Sequence, residues 1–359
     1  MAEEELVEEP FKRFDVVSNH SDHYYVSLNV PNKGEAQDCF VNGGSRVYKK
    51  IIQEWKILEK NLPDSIFVRV YENRIDLLRA VIVGASGTPY HDALFFFDLA
   101  FPSNYPLRPP LVSYRSFGFR INPNLYENGW VCLSLLNTWA GKKIERWNPS
   151  ESTILQVLVS IQALVLNEKP FFNEPGSAIF GKAFWERNSQ AYNENTFLLS
   201  CKSILLLLRK PPMNFEAFVV GHFRDRANVI LEACGEYANG LTRVGYYGNR
   251  NDGFSSSSDS NSGSVIEVSR KFRESMRVIY PELVAGFRKC GASLGHNVEQ
   301  LTLIEVNSFS LLKPQEKVKK TKNGIGKRII GKIKRILGLQ KNDGSKSNAV
   351  ATSERESVN

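Results

Sequence analysis

The chain has 359 residues, 42% hydrophobic and 23% charged, the balance of a soluble globular protein with room for one large or two ordinary domains. No apolar stretch reaches the ~18–20 residues of a membrane span; the longest run, residues 204–208, is bounded by Lys202 and Arg209. The formal charge of +8 is local: residues 313–341 hold eleven Lys or Arg against one acid, Glu316, and this +10 leaves the remainder at −2, so the body is no general polyanion binder.

The N-terminus, MAEEELVEEP, is acidic and lacks the apolar centre of a secretory signal, so an intracellular protein is expected. Residues 1–45 are polar and expected to be irregular, closing at Gly43-Gly44. From Val47, apolar residues recur at Ile51, Trp55, Leu58 and Leu62, one face of an amphipathic helix ended by Pro63-Asp64. Four short strands follow at 65–71, 77–84, 93–101 and 111–115, with Ile66, Val68 and Val70 on one face of the first. Their close spacing predicts an antiparallel meander. Residues 116–150 hold Asn-Pro, Asn-Gly and Asn-Pro turn signals. The helix TILQVLVSIQALVLN comes next, with Ser152 as its expected cap; being apolar on most sides, it is expected to be buried. Helices are predicted at 190–210 and 214–238, a Ser-rich linker at 251–264, and a further helical segment within 265–312 that Pro281 interrupts. The 313–359 tail is basic, then polar.

Cys39, Cys132, Cys201, Cys234 and Cys290 are odd in number and form no CxxC pair, which argues against a disulfide framework and a structural zinc site. Taken alone, each is most simply a small buried hydrophobe. His20 and His23 (HSDH) read as an exposed pair, and no metal site is expected.

Three motifs in order distinguish Cys132. GTPYHDALFFFDLAFPSNYPLRPP, NPNLYENGWVC and WNPSESTILQVLVSIQALV resemble the ubiquitin-conjugating enzyme family, whose order of helix, four-stranded meander, irregular stretch and buried helix matches residues 45–200. Asn122 in place of the usual His, the insertion TWAGKKIER before Trp147, and KPFFNEPG are similar to the class of large members, including big plant ones. The resemblance implies an α/β (α+β) domain over 46–200 with an N-terminal helix, a four-stranded antiparallel meander and C-terminal helices, extended by helices over 201–250.

It further implies an acyltransferase that needs no cofactor. Cys132 is its nucleophile, accepting ubiquitin as a thioester from the ubiquitin-activating enzyme and passing it to a substrate lysine, with or without a ubiquitin ligase. A thiol suits both steps, because its thiolate attacks well and leaves well. The Asn128-Gly129 turn is expected to leave Cys132 within reach. Asn124 takes the oxyanion position, or simply closes the turn after Pro123. Asn122 reads as a turn-stabilising residue. Glu174 is the candidate for orienting or deprotonating the lysine, or else a solvated loop glutamate, with Asn173 and Ser134 close in sequence. Leu107, and Asn148, Pro149 and Ser150, match the ligase-binding loops; Lys49, Lys50, Lys56 and Lys60 lie where the activating enzyme docks. Two alternatives stay open: an inactive ubiquitin-binding scaffold, and a conjugator of another ubiquitin-like modifier. A Cys/His hydrolase would need a base among His20, His23, His91, His222 and His296, none near Cys132 in sequence.

In the tail, Ile325, Ile329, Ile333 and Ile336 fall at helical spacing among Lys327, Arg328, Lys332, Lys334 and Arg335. That pattern suits an anionic membrane surface; nuclear targeting and a solvated tail fit the same charges, and no specific nucleic acid is expected. Cytoplasmic localisation is expected, with nuclear or peripheral membrane placement left open.

Overall fold

The computed structural model describes residues 10–27, 38–174, 182–247, 268–295 and 298. All lie in one of two compact units, Met1–Ser308; the other is Phe309–Asn359. The linker at 251–264 and the 313–359 tail therefore lie outside the described residues.

Residues 1–45, expected to be irregular, hold three elements: β1 (Phe14–Val17), α1 (Tyr24–Ser27) and α2 (Asp38–Val41). Then come α3 (Arg46–Asn61), β2 (Ile66–Tyr71), β3 (Arg74–Val83), β4 (Leu94–Ala100) and β5 (Leu111–Tyr114). The sheet has five strands, not four. The expected meander β2–β5 is antiparallel, and β1 adds to its edge parallel to β2, Phe14 opposite Val68. Four residues, FDVV, are too few for alternation to announce a strand; β2 supplies the template.

Helix α3 is capped by Ser45, whose hydroxyl accepts from the Tyr48 amide at 2.9 Å. The predicted stripe faces inward: Ile51, Leu58 and Leu62 are buried, and Val47 and Trp55 are partly so. Glu54 is also fully buried. Its carboxylate accepts from Tyr105 Oη (2.8 Å) and from the Ile154 amide (3.0 Å), fastening α3 to the start of α4 (Ile154–Ser160). The cap of α4 is Thr153 rather than Ser152; Thr153 and Gln156 bond reciprocally, while Ser152 Oγ accepts from the Asn148 amide. Beyond Ser160 the helix widens into a π turn, Ile161–Val165. It is not buried all round. Val159 and Leu164 are 41% and 63% exposed.

Both faces of the sheet are covered. Ile66, Val68, Val70, Ala80 and Phe97 lie in the main core. On the other face Tyr71, Leu77 and Ala100 meet Val17, Tyr25 and Val26 of the N-terminal segment. His23 is accordingly buried, with Nε2 on the Leu78 carbonyl at 3.1 Å, so the HSDH pair is not simply exposed. Burial lowers the His23 pKa despite the nearby Asp98, and the ring is neutral near pH 7.

On this second face Arg79, 1% exposed, donates Nε and Nη2 to Asp98 (2.6 and 2.9 Å) and Nη1 to Asp22 (2.6 Å). Asp22 also accepts from the Met213 amide, and Asp98 from the Tyr24 amide. Burial raises the Asp98 pKa, but Arg79 and His23 outweigh it and hold the carboxyl below its ordinary value. Arg79→Ala would leave Asp98 buried without its main countercharge. The expected loss is about 3–5 kcal/mol of stability, read from urea unfolding of the whole chain. An unchanged midpoint would show that this network does not hold the N-terminal segment down.

The C-terminal part comprises α5 (Lys182–Arg209), α6 (Glu216–Ala238) and α7 (Arg270–Lys289). Helix α5 covers the helix expected at 190–210 and begins eight residues before it. Pro281 does not interrupt α7, whose buried face (Phe272, Met276, Ile279, Leu283 and Phe287) passes either side of it. Pro281 itself is exposed, so its missing N–H and altered backbone are met by solvent while packing holds the helix together.

Candidate active site

Asn122, fully buried, ties three segments together. Its Nδ2 donates to Tyr90 Oη (2.8 Å) and to the Val165 carbonyl (2.6 Å), and its Oδ1 accepts from the Asn124 amide (2.8 Å). This is a structural role, as the sequence implied. Pro123 follows, and then Asn124 and Cys132 hold each other twice. The Cys132 amide donates to the Asn124 carbonyl (2.9 Å), and Asn124 Nδ2 donates to the Cys132 carbonyl (2.9 Å). Asn124 Oδ1 is buried with no hydrogen-bond partner among the described residues.

Between the two lies a tight reversal. Leu125 bridges Val131, the Tyr126 amide donates to the Trp130 carbonyl, and Asn128 Oδ1 accepts from the Trp130 amide. Gly129 has φ +88°, and a Cβ there would come within 2.8 Å of Ser113 Oγ and 2.9 Å of the Tyr114 carbonyl, so only glycine fits. The reversal does not leave Cys132 open: it is 5% exposed. Cys39 and Cys290 are more exposed, and burial raises the Cys290 pKa. Neighbours, not exposure, distinguish Cys132.

One such neighbour is Tyr126, which the sequence reading missed. Partial burial and the nearby Cys132 thiol raise the phenol's pKa, against the lowering effect of Arg120. The Arg120 guanidinium sits 4.2 Å above the Tyr126 ring, and its Nη2 donates to the Pro123 carbonyl at 3.3 Å. The signal was available: Asn-Gly between alternating residues marks a hairpin, which returns the chain past Tyr126 on its way to Cys132.

Glu174 is exposed at the end of the short 3-10 turn Pro170–Asn173. Its charge reaches this cluster, acting on both Tyr126 and Tyr192. Burial pushes the Tyr192 phenol up to about 12, with Arg120 lowering it and Glu174 raising it. Asn173 turns inward instead, donating to the Val165 carbonyl at 3.1 Å. The described histidines bond elsewhere: His20 to Ser18, His23 to Leu78, His91 to Asp92 and Tyr237, His222 to the Asp92 carbonyl. His296 lies outside the described residues. No cluster of three or more potential metal ligands occurs among the described residues.

Leu107 is 64% exposed, and Asn148, Pro149 and Ser150 are exposed. Asn148 Oδ1 accepts from the Ser150 amide and hydroxyl at 3.1 and 2.8 Å. Trp147 Nε1 donates to the Pro106 carbonyl at 2.7 Å, so the two loops are fastened as one surface. Of the α3 lysines, Lys49, Lys56 and Lys60 are exposed, and Lys50 lies 3.5 Å from Glu54.

Residues 50–198 match the family described as ubiquitin-conjugating enzyme. The chain is 56% identical over 233 residues to probable ubiquitin-conjugating enzyme E2 25 of Arabidopsis thaliana, covering 65% of the chain and 37% of that protein. It is 55% identical over 232 residues to putative ubiquitin-conjugating enzyme E2 38 of the same plant, covering 64% of the chain and 68% of that protein. It is 37% identical over 243 residues to the human dual E2 ubiquitin-conjugating enzyme/E3 ubiquitin-protein ligase BIRC6, covering 63% of the chain and 5% of that protein. The chain thus spans well under half the length of the first of these relatives.

Proposed function

Because the chain belongs to the ubiquitin-conjugating enzyme family, we propose that it accepts ubiquitin from an activating enzyme as a thioester on Cys132 and passes it to a substrate lysine. The observation that carries this reading is the mutual hold of Asn124 and Cys132, with Tyr126 at the thiol. In the first step the Cys132 thiolate attacks the ubiquitin carbonyl, and the activating enzyme's thiolate leaves. In the second, the lysine amine attacks the new thioester, a proton leaves the nitrogen, and the Cys132 thiolate is expelled. Asn124 donates to the oxyanion of this second step. Glu174, exposed near Tyr126 and Tyr192, orients the amine or takes its proton. The test is charging of the purified chain with activating enzyme, ATP and ubiquitin; a reducible adduct on Cys132 is the expected result.

Leu107 with Asn148, Pro149 and Ser150 forms the ligase-facing patch in this reading. An exposed leucine on a rigid pair of loops is a small preformed anchor. The lysines of α3 face the activating enzyme. The Asn-Pro-Asn turn supports grouping the chain with the large members of the family.

The basic tail supplies an anionic-membrane contact to a cytoplasmic protein. Each near-surface charge adds about 1 kcal/mol of attraction, which salt screens. Deleting residues 313–359 is expected to abolish sedimentation with anionic vesicles at low salt while leaving charging unchanged. Retention of an Ile329→Ser, Ile333→Ser, Ile336→Ser variant on the vesicles would reduce the contact to charge alone.

A further inference from the structure

Arg120 is an exposed cation fixed at two points beside the nucleophile. Its Nη2 donates to the Pro123 carbonyl at 3.3 Å, and its guanidinium lies 4.2 Å above the Tyr126 ring. Pro123 precedes Asn124, which holds Cys132 through both its side chain and its carbonyl. Leu125 and Val131 bridge each other and are buried. Side chains alternate along such a reversal, so Asn124, Tyr126 and Cys132 share its other face. A nucleophile that attacks a group carried on Cys132 arrives over that face, with Arg120 at its border.

The charge of Arg120 is not cancelled locally. Arg79, Arg115 and Arg226 each pair with an aspartate, at 2.6, 3.6 and 2.6 Å. Arg120 has no acidic partner among the described residues. Glu174 forms no ion pair with it, yet the two charges act on the same rings. Beyond the effect of burial, Arg120 lowers and Glu174 raises the pKa of both Tyr126 and Tyr192. Both charges therefore reach one small volume in front of these phenols.

We propose that Arg120 keeps the arriving lysine amine neutral. The inference rests on the proposed transfer from Cys132 and assigns a residue to the proton loss that precedes attack. An ammonium nitrogen has no lone pair and cannot attack a carbonyl. A fixed like charge disfavours that form and favours the free amine. The ammonium gives one proton to water or to Glu174 before it attacks. The nitrogen loses a second as the N–C bond forms and the C–S bond breaks, the electron pair leaving on the Cys132 sulfur. Glu174 alone would hold the amine protonated, and Arg120 offsets that pull. Water screens an exposed guanidinium, so the effect is about half a pH unit rather than several.

The first measurement needs no ubiquitin. In the full chain carrying Cys132→Lys, an amine stands at the position of the thiol. Acetic anhydride labelling across pH, read at residue 132 by peptide mass spectrometry, gives the midpoint at which this amine loses its proton. Adding Arg120→Gln removes the charge but keeps a planar donor for the Pro123 carbonyl. It should raise the midpoint by about half a unit, whereas adding Arg120→Lys should leave it nearly unchanged. An unchanged midpoint with Arg120→Gln overturns the inference, whatever charging does. The second measurement uses the chain with its native Cys132, charged with ubiquitin. Near neutral pH, Arg120→Gln should slow discharge onto free lysine about threefold. Discharge onto hydroxylamine, which is uncharged there, should keep its rate, and Arg120→Lys should restore the lysine rate. Equal slowing toward both nucleophiles overturns the inference, because Arg120 would then only brace Tyr126 and the Asn124 turn. If the Cys132→Lys chain shows no cooperative unfolding, this second comparison decides alone. Failure of the native chain to charge, with the midpoint shifted, refutes transfer through Cys132 and leaves the action of Arg120 at this position standing.

Discussion

Cys132→Ala is expected to remove the ubiquitin adduct completely. On the proposed mechanism, charging the native chain with activating enzyme, ATP and ubiquitin should give an adduct that a thiol reductant releases. Cys132→Ser gives one that the reductant leaves in place, because an oxyester resists thiol exchange. The effect is all-or-none because the step has one covalent acceptor and no neighbouring group that can replace it: Asn124 and Asn122 are amides, and Tyr126 has a phenol held neutral by its raised pKa. Cys39 and Cys290, the partly exposed thiols, are the natural competitors. Neither sits in a comparable setting: Cys39 Sγ lies 3.8 Å from the Ser103 carbonyl, and Cys290 Sγ lies 3.0 Å from the Phe287 carbonyl. A reducible adduct surviving in Cys132→Ala would move the nucleophile to one of them. The substitution removes one sulfur at a 5%-exposed position, so the unfolding midpoint should change little beside the loss of charging.

The elements that the sequence announced are those with their own periodicity. The four–four–three–four spacing from Val47 to Leu62 predicted α3, and the alternation around Ile66, Val68 and Val70 predicted β2. What stayed hidden depended on partners distant in sequence. FDVV becomes a strand only because β2 offers an open edge. Glu54, at an exposed-looking place on the helix, is buried because Tyr105 and the Ile154 amide, one hundred residues on, converge on its carboxylate. Pro281 was read as a break because local rules count the lost hydrogen bond and cannot see the packed face beside it. The site divides the same way. Asn122, Asn124 and Cys132 were legible as a motif, whereas Tyr126 needed the hairpin geometry.

Asn124→Ala separates the two acyl transfers. Asn124 Nδ2 now donates to the Cys132 carbonyl, and Oδ1 is buried without a partner. The side chain is thus held by a single bond, while the Asn124 carbonyl independently grips the Cys132 amide. Alanine keeps that backbone bond and therefore the course of the turn. The lost side-chain bond should cost about 1 kcal/mol of stability, and charging should persist. Discharge onto lysine should slow by about 10²–10³-fold, the usual effect of removing an oxyanion donor. Asn124→Asp makes the same comparison from the other side: it keeps the shape, loses the donor, and sets a carboxylate where negative charge develops, so it should discharge no faster than the alanine variant. The measurement is a pair of single-turnover rates, charging and discharge, alongside the unfolding midpoint. Were both rates to fall together with the midpoint, Asn124 would be a turn residue alone. If discharge falls while charging and most of the stability remain, the amide acts on the transition state, because only the second transfer needs an oxyanion stabilised at Cys132 without help from the activating enzyme.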